Sequence, residues 1–112
     1  MPLVTVHCVT INALDPSALA GFWAAVTGGT AREAGNGFVL LEPAEGGLRL
    51  LFQKADRPTA EPGWIHLDCS VADRADAGDE ICRLGGQLVE HRSDSHAEWI
   101  VMADPEGNPF CI

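Results

Sequence analysis

His66 and Asp68 are separated by one residue in Trp64 to Val71, a stretch that reads as a β-strand, so the imidazole and the carboxylate project from the same side. A carboxylate beside an imidazole can orient the ring or share a bound ligand, an arrangement suited to proton transfer and to polar recognition. Ser70 continues that row, while Leu67, Cys69 and Val71 alternate with it and suit packing under a helix. The same alternation in Leu3 to Asn12 places Cys8, Thr10 and Asn12 on one side and Val9 and Ile11 on the other. Gln53 and Cys111 fall in two further apolar stretches, Leu48 to Lys54 and Asn108 to Ile112, and Arg49 shares parity with Gln53. Polar rows are costly to bury unless they are hydrogen-bonded or wet, so a small-molecule site explains them better than packing does. The candidate ligand-binding residues are therefore Cys8, Thr10, Arg49, Gln53, His66, Asp68 and Cys111. Trp64 and Trp99 could add an aromatic wall or fill a core. His7 has the parity of the packed side and reads as structural, whereas His91 and His96 sit at a hairpin and face water.

The elements that must position these groups are legible from local chemistry. Between Leu3 and Asn12 β-branched residues dominate, as an extended and partly buried strand requires. Asp15-Pro16 starts a helix, because Asp accepts backbone N–H bonds at an N-cap and Pro loses no hydrogen bond at the first helical position. Leu19, Phe22, Trp23 and Val26 then form one apolar stripe, and Gly28-Gly29 ends it. Strands are expected near Thr30 to Glu33, Phe38 to Glu42 and Leu48 to Lys54, with turns at Gly35-Asn36-Gly37 and Glu45-Gly46-Gly47. The Pro-rich, polar segment 56–63 has linker composition.

Beyond it the pattern recurs. A strand over Trp64 to Val71 is followed by a helix capped by Asp73, with Ala77, Ile81 and Leu84 as its buried stripe and Gly85-Gly86 as its stop. Strands near Gln87 to His91, Glu98 to Ala103 and Asn108 to Ile112 complete the second set, with a type I turn at Asp104-Pro105-Glu106-Gly107. Asp15 and Asp73, Gly28 and Gly86, and Phe52 and Phe110 are each 58 positions apart (73 less 15, 86 less 28, 110 less 52). A constant register of this kind points to an internal repeat. It makes Cys8 equivalent to His66 and Gln53 equivalent to Cys111. The fold class expected is α+β, two βαβββ modules forming a curled mixed sheet around a cleft. The chain reads as a single domain over 1–112, with module 1 at about 1–55, the linker at 56–63 and module 2 at about 64–112.

The totals exclude several partners. Sixteen acidic residues against seven basic ones leave a formal charge of -9, which repels phosphate backbones and anionic headgroups, so neither nucleic acid nor a membrane is an expected partner. No apolar run approaches bilayer length. Four cysteines without a Cys-x-x-Cys pair, and no secretory leader, point to reduced thiols in a cytoplasm.

Asp15-Pro16 with Phe22-Trp23, the strand His66-Leu67-Asp68 and the closing Asp104-Pro105-Glu106-Gly107-Asn108-Pro109-Phe110-Cys111 together resemble the glyoxalase-like branch of the vicinal-oxygen-chelate superfamily, which includes glyoxalases, bleomycin-resistance proteins and dioxygenases. The resemblance spans nearly the whole chain. It implies paired βαβββ modules curled into a cleft, a homodimer, and in many members a divalent metal held by one residue from each of four strands. His66 and Gln53 match ligand positions of that pattern. Cys8 stands where His is usual and Cys111 where metal-dependent relatives carry Glu, so the implied metal set would be His66, Gln53, Cys8 and Cys111, a mixture of nitrogen, oxygen and sulfur donors that suits zinc better than magnesium or manganese. The first expectation is a cytoplasmic small-molecule-binding protein that sequesters or senses an organic ligand. The second is a divalent-metal-dependent lyase, isomerase or dioxygenase.

Overall fold

The computed structural model describes residue 3 and residues 6–56 and 66–112. Trp64 and nearly all of the linker segment lie outside the described residues. The chain divides into two compact units, Met1–Arg57 and Pro58–Ile112.

The first unit runs β1 (Val9–Ala13), α1 (Pro16–Thr27), β2 (Thr30–Gly35), β3 (Phe38–Glu42) and β4 (Leu50–Lys54). Its sheet has the order β1-β4-β3-β2, with β1 parallel to β4 and the other pairs antiparallel. α1 begins as its sequence dictates: the Asp15 carboxylate accepts from the Ala18 N–H at 3.1 Å and Pro16 follows. It ends at Gly28, whose φ of 76° only glycine adopts freely, and whose N–H donates to the Ala24 carbonyl at 2.9 Å. Leu19, Phe22 and Trp23 are buried, with the two aromatic rings edge to face at 5.5 Å. Together with Val39, Leu41, Leu50 and Phe52 from the sheet they make the core of this unit.

The second unit repeats the order with β5 (Leu67–Asp68), α2 (Arg74–Arg83), β6 (Gln87–Ser93), β7 (Glu98–Ala103) and β8 (Pro109–Cys111). Its sheet, β5-β8-β7-β6, has the same arrangement, with β5 parallel to β8 and the remaining pairs antiparallel. The Asp73 carboxylate caps α2 through the Asp76 N–H at 2.9 Å. Ile81, Ile100, Met102, Phe110 and Ile112 are buried, while Ala77 and Leu84 are half-buried. The tight stop after α2 needs Gly86, since a Cβ there would lie 2.6 Å from Ile81 Cγ2 and 3.0 Å from the Ala103 carbonyl. Two α+β units with one topology are the paired βαβββ fold that the sequence predicts.

Three expectations are corrected. The first strands are shorter than their β-branched or apolar stretches, because a strand extends only as far as its partner does. Val9 meets Leu50, the first residue of β4, so Val6, His7 and Cys8 precede the ladder and His7 is exposed rather than packed. Among the described residues β5 pairs only Leu67 and Asp68, opposite the short β8, and Val71 is 36% exposed rather than under α2. The repeat is also not constant in register. Phe52 faces Ile11, whereas Phe110 faces Leu67, so the first strands correspond at 56 positions (67 less 11) while the last strands correspond at 58. Two additional residues lie between β5 and the Asp73 cap. The left-handed glycines that follow the helices, Gly28 and Gly85, are 57 apart (85 less 28). On this register the residue matching His66 is Thr10, not Cys8.

Candidate functional site

The β5–β8 register brings together His66, Asp68 and Cys111, the densest cluster of reactive side chains among the described residues. Asp68 lies directly across from Cys111, and neighbours in a parallel pair project from the same face; His66, two residues before Asp68, shares that face. His66 Nε2 is 3.3 Å from Asp68 Oδ1, and one ligand atom each from His66, Asp68 and Cys111 all lie within 4.8 Å of one another. His66 and Asp68 are exposed and Cys111 is half-buried. Burial pushes the Cys111 thiol up from its ordinary value, and the Asp68 carboxylate, through its charge and a hydrogen bond, pushes the same way against the opposing charge of Arg92. The Cys69 thiol is raised as well, first by burial and then by the charge of Asp68. These thiols are thus kept in the neutral form rather than activated as nucleophiles.

The antiparallel ladders extend the same face across the sheet, because Val101 is opposite Cys111, Trp99 opposite Arg92, and Glu90 opposite Val101. A cavity of about 1050 Å³ opens on this face, and every described residue lining it belongs to the second unit. Trp99, Val101 and Pro109 supply apolar surface, and His66, Asp68 and Arg92 supply polar groups. The Arg92 Nε donates to Glu90 Oε1 at 2.6 Å. Trp99, whose face a bulge would have reversed, keeps it, since the bulge falls in β6 between Leu88 and Glu90. Arg92, Glu90 and Val101 were not among the sequence candidates. Their strand parity relative to Cys111 is the signal, and it becomes usable only when the β6–β7 register is known.

The remaining candidates belong to the first unit. Thr10 and Gln53 are exposed on one face of its sheet, with Asn12 directly across from Gln53, and Cys8 is half-buried ahead of β1. Arg49 is committed to an ion pair: its Nη2 lies 3.0 Å from Glu42 Oε2, while Arg32 Nη2 holds Oε1 at 3.2 Å. The Arg32 guanidinium first, and Arg49 second, keep the Glu42 carboxyl below its ordinary value. A carboxyl depressed in the folded chain stabilises it fully above the ordinary carboxylate pKa, and that contribution fades as pH falls through the lower folded value. Glu42→Gln is therefore expected to flatten the acid limb of stability, read as urea midpoints over a falling pH series. Curves for the two proteins that stay parallel would show that the exposed pairs contribute nothing.

Imidazole nitrogen, carboxylate oxygen and thiol sulfur within 4.8 Å fit a divalent ion of the zinc class, while the thiol is a poor ligand for manganese or magnesium. His66, Asp68 and Cys111 are the residues that would hold it, and such an ion would supply Lewis-acid polarisation of a bound ligand.

Paired βαβββ units of this topology define the glyoxalase and bleomycin-resistance class of folds. A family profile for the glyoxalase-like domain matches residues 8–112, and the chain belongs to that family. A search of curated proteins finds no significant match. Among solved structures, a bleomycin-binding protein from bleomycin-producing Streptomyces verticillus, complexed with copper(II)-bleomycin, superimposes with a TM-score of 0.66 at 16% identity, covering 99% of this chain and 96% of that one. A glyoxalase-related enzyme from Fulvimarina pelagi gives a TM-score of 0.73 at 20% identity over 98% and 87% of the two chains. A variant of the fosfomycin resistance protein FosX from Listeria monocytogenes, complexed with Mn(II) and 1S,2S-dihydroxypropylphosphonic acid, gives 0.77 at 13% identity over 98% and 89%. At these identities the likeness is one of fold. No helix among the described residues is long and apolar enough to cross a membrane.

Proposed function

We propose that this protein binds a small organic ligand on the open face of its second sheet and holds it without altering it. The observation that carries this reading is the cavity of about 1050 Å³, with an apolar wall of Trp99, Val101 and Pro109 and a few convergent polar groups. Sites for drug-sized ligands have this composition and run from about 300 to 1,000 Å³. The ligand fitting these walls carries a planar apolar part for Trp99 and polar groups for His66–Asp68 and Arg92. Neighbours named for bleomycin binding and fosfomycin resistance support sequestration of a toxic natural product as the physiological role. On this reading the protein acts in a cytoplasm, where its four unpaired cysteines stay reduced, and as a homodimer, the state common in the superfamily.

The test is a tryptophan-fluorescence titration of metal-free protein with bleomycin, its copper(II) complex, fosfomycin and a panel of planar natural products, followed by recovery of the compound. Saturable quenching by at least one compound, recovered unchanged, is the expected result. Trp99→Ala is expected to weaken that affinity by about tenfold or more, read by calorimetry, since aromatic anchors in pockets dominate binding energy. Absence of saturable binding across the panel, or a chemically altered product, defeats the reading.

A further inference from the structure

We infer that Asn36 is a site of spontaneous covalent modification: its side-chain amide is lost through a cyclic imide with the Gly37 nitrogen, leaving aspartyl and isoaspartyl residues at the tip of the β2–β3 hairpin. The chemistry needs a side-chain amide, a following main-chain nitrogen free to attack it, no side chain in the way, and water. Of the three asparagines, Asn12, Asn36 and Asn108, only Asn36 meets all of these conditions. Asn12 lies within β1 across from Gln53, and Ala13 after it is fully buried. Asn108 precedes Pro109, whose nitrogen carries no proton to lose. Asn36 and Gly37 are both exposed, and the Gly37 N–H has no acceptor among the described residues.

The hairpin itself calls for the labile pair. Gly35 faces Phe38, so Asn36 and Gly37 are the whole of a two-residue loop. Their φ values of 52° and 80° are both left-handed, as the mirror-image turns of such hairpins require, and Asn36 is the one non-glycine residue with positive φ among the described residues. A Cβ at position 37 would also lie 3.2 Å from Lys54 Cβ. Asn followed by Gly is the pair this backbone favours, and it is also the pair that shields the attacking nitrogen least. In the reaction, base takes the Gly37 amide proton, the nitrogen bonds to Asn36 Cγ, and the Cγ–Nδ2 bond breaks to release ammonia. Water then opens the ring at either carbonyl. Each event adds one negative charge to an acidic chain. The isoaspartyl product threads the main chain through Cβ and Cγ, which lengthens by a methylene a loop whose length fixes the β2–β3 register.

The test is ageing of the full-length protein at physiological temperature, in mildly alkaline buffer made with heavy-oxygen water, followed by proteolysis and mass spectrometry. The ageing period is the time that converts Asn36 in the same chain unfolded by guanidinium chloride. The expected result for the folded protein is one heavy oxygen gained in the peptide holding Asn36, as a mixture of aspartyl and isoaspartyl forms resolved by electron-transfer fragmentation. Isoelectric focusing is expected to show an acidic shift of one charge, appearing faster as pH rises because the amide proton must leave. Asn36→Gly keeps a residue at ease with positive φ, so the hairpin still forms, and is expected to abolish the shift. Asn36 intact in the folded protein after that period, equal conversion at Asn12 or Asn108, a shift that persists in Asn36→Gly, or an aspartyl product alone would each overturn the assignment.

Discussion

Phe110→Ala is expected to lower the free energy of unfolding by about 3–5 kcal/mol, the usual cost of deleting a buried aromatic ring and leaving a cavity that neighbours fill only partly. Phe110 is 1% exposed, between Pro109 and Cys111 in β8, and faces Leu67 and Met102 in the adjoining strands. For a chain of 112 residues, a loss of this size takes a large part of a stability typically about 5–15 kcal/mol. The position of Phe110 in the cavity-bearing unit ties the cost to function: the variant is expected to lose ligand binding under conditions where Phe52→Ala, an equal truncation in the first unit, still shows it. Urea unfolding with binding measured below the transition checks both parts. A loss under about 1 kcal/mol would mean that β8 is not anchored by this ring.

Asp104→Ala is expected to cost about 2–4 kcal/mol, because removing a buried acceptor leaves several half-buried donors unpaired. Asp104 is 2% exposed, and its Oδ1 accepts from the Glu106 N–H at 3.0 Å and the Asn108 N–H at 2.9 Å. The Asn108 side-chain amide donates to both oxygens, at 3.0 Å and 2.8 Å. These bonds close the turn that aims β8 back along β7. Asp104→Asn keeps one carbonyl oxygen and is expected to lose less than the alanine variant, in the same denaturation assay. Equal losses in the two would assign the effect to the charge rather than to the donors.

Much of this molecule is readable from its residues because the relevant physics is local. Asp15 and Asp73 cap helices through bonds to a residue three positions ahead, and the apolar runs Phe38–Glu42 and Glu98–Ala103 are bounded by turn residues so clearly that β3 and β7 have the bounds predicted. The face shared by His66 and Asp68 follows from strand parity alone. What escaped depends on pairing between distant segments. The ends of β1 and β5 are set by the lengths of β4 and β8, the place of Arg92 and Glu90 in the cavity by a bulge in β6, and the burial of Asp104 by the strands that its turn joins. Counting at a constant 58 likewise missed the shift of the first strands, and with it the placing of Asp68 against Cys111.

The longer link between β5 and α2 also bears on how such a tandem protein can change. Because a pleated chain shows alternate residues to its two sides, gaining a single amino acid there would turn the strand inside out, sending oily groups to water and charged ones inward. Gaining a pair restores the original outlook while substituting fresh chemistry at the same station. Lengthening in even steps thus gives a duplicated ancestor a route to new donors in one copy while its sibling stays as it was.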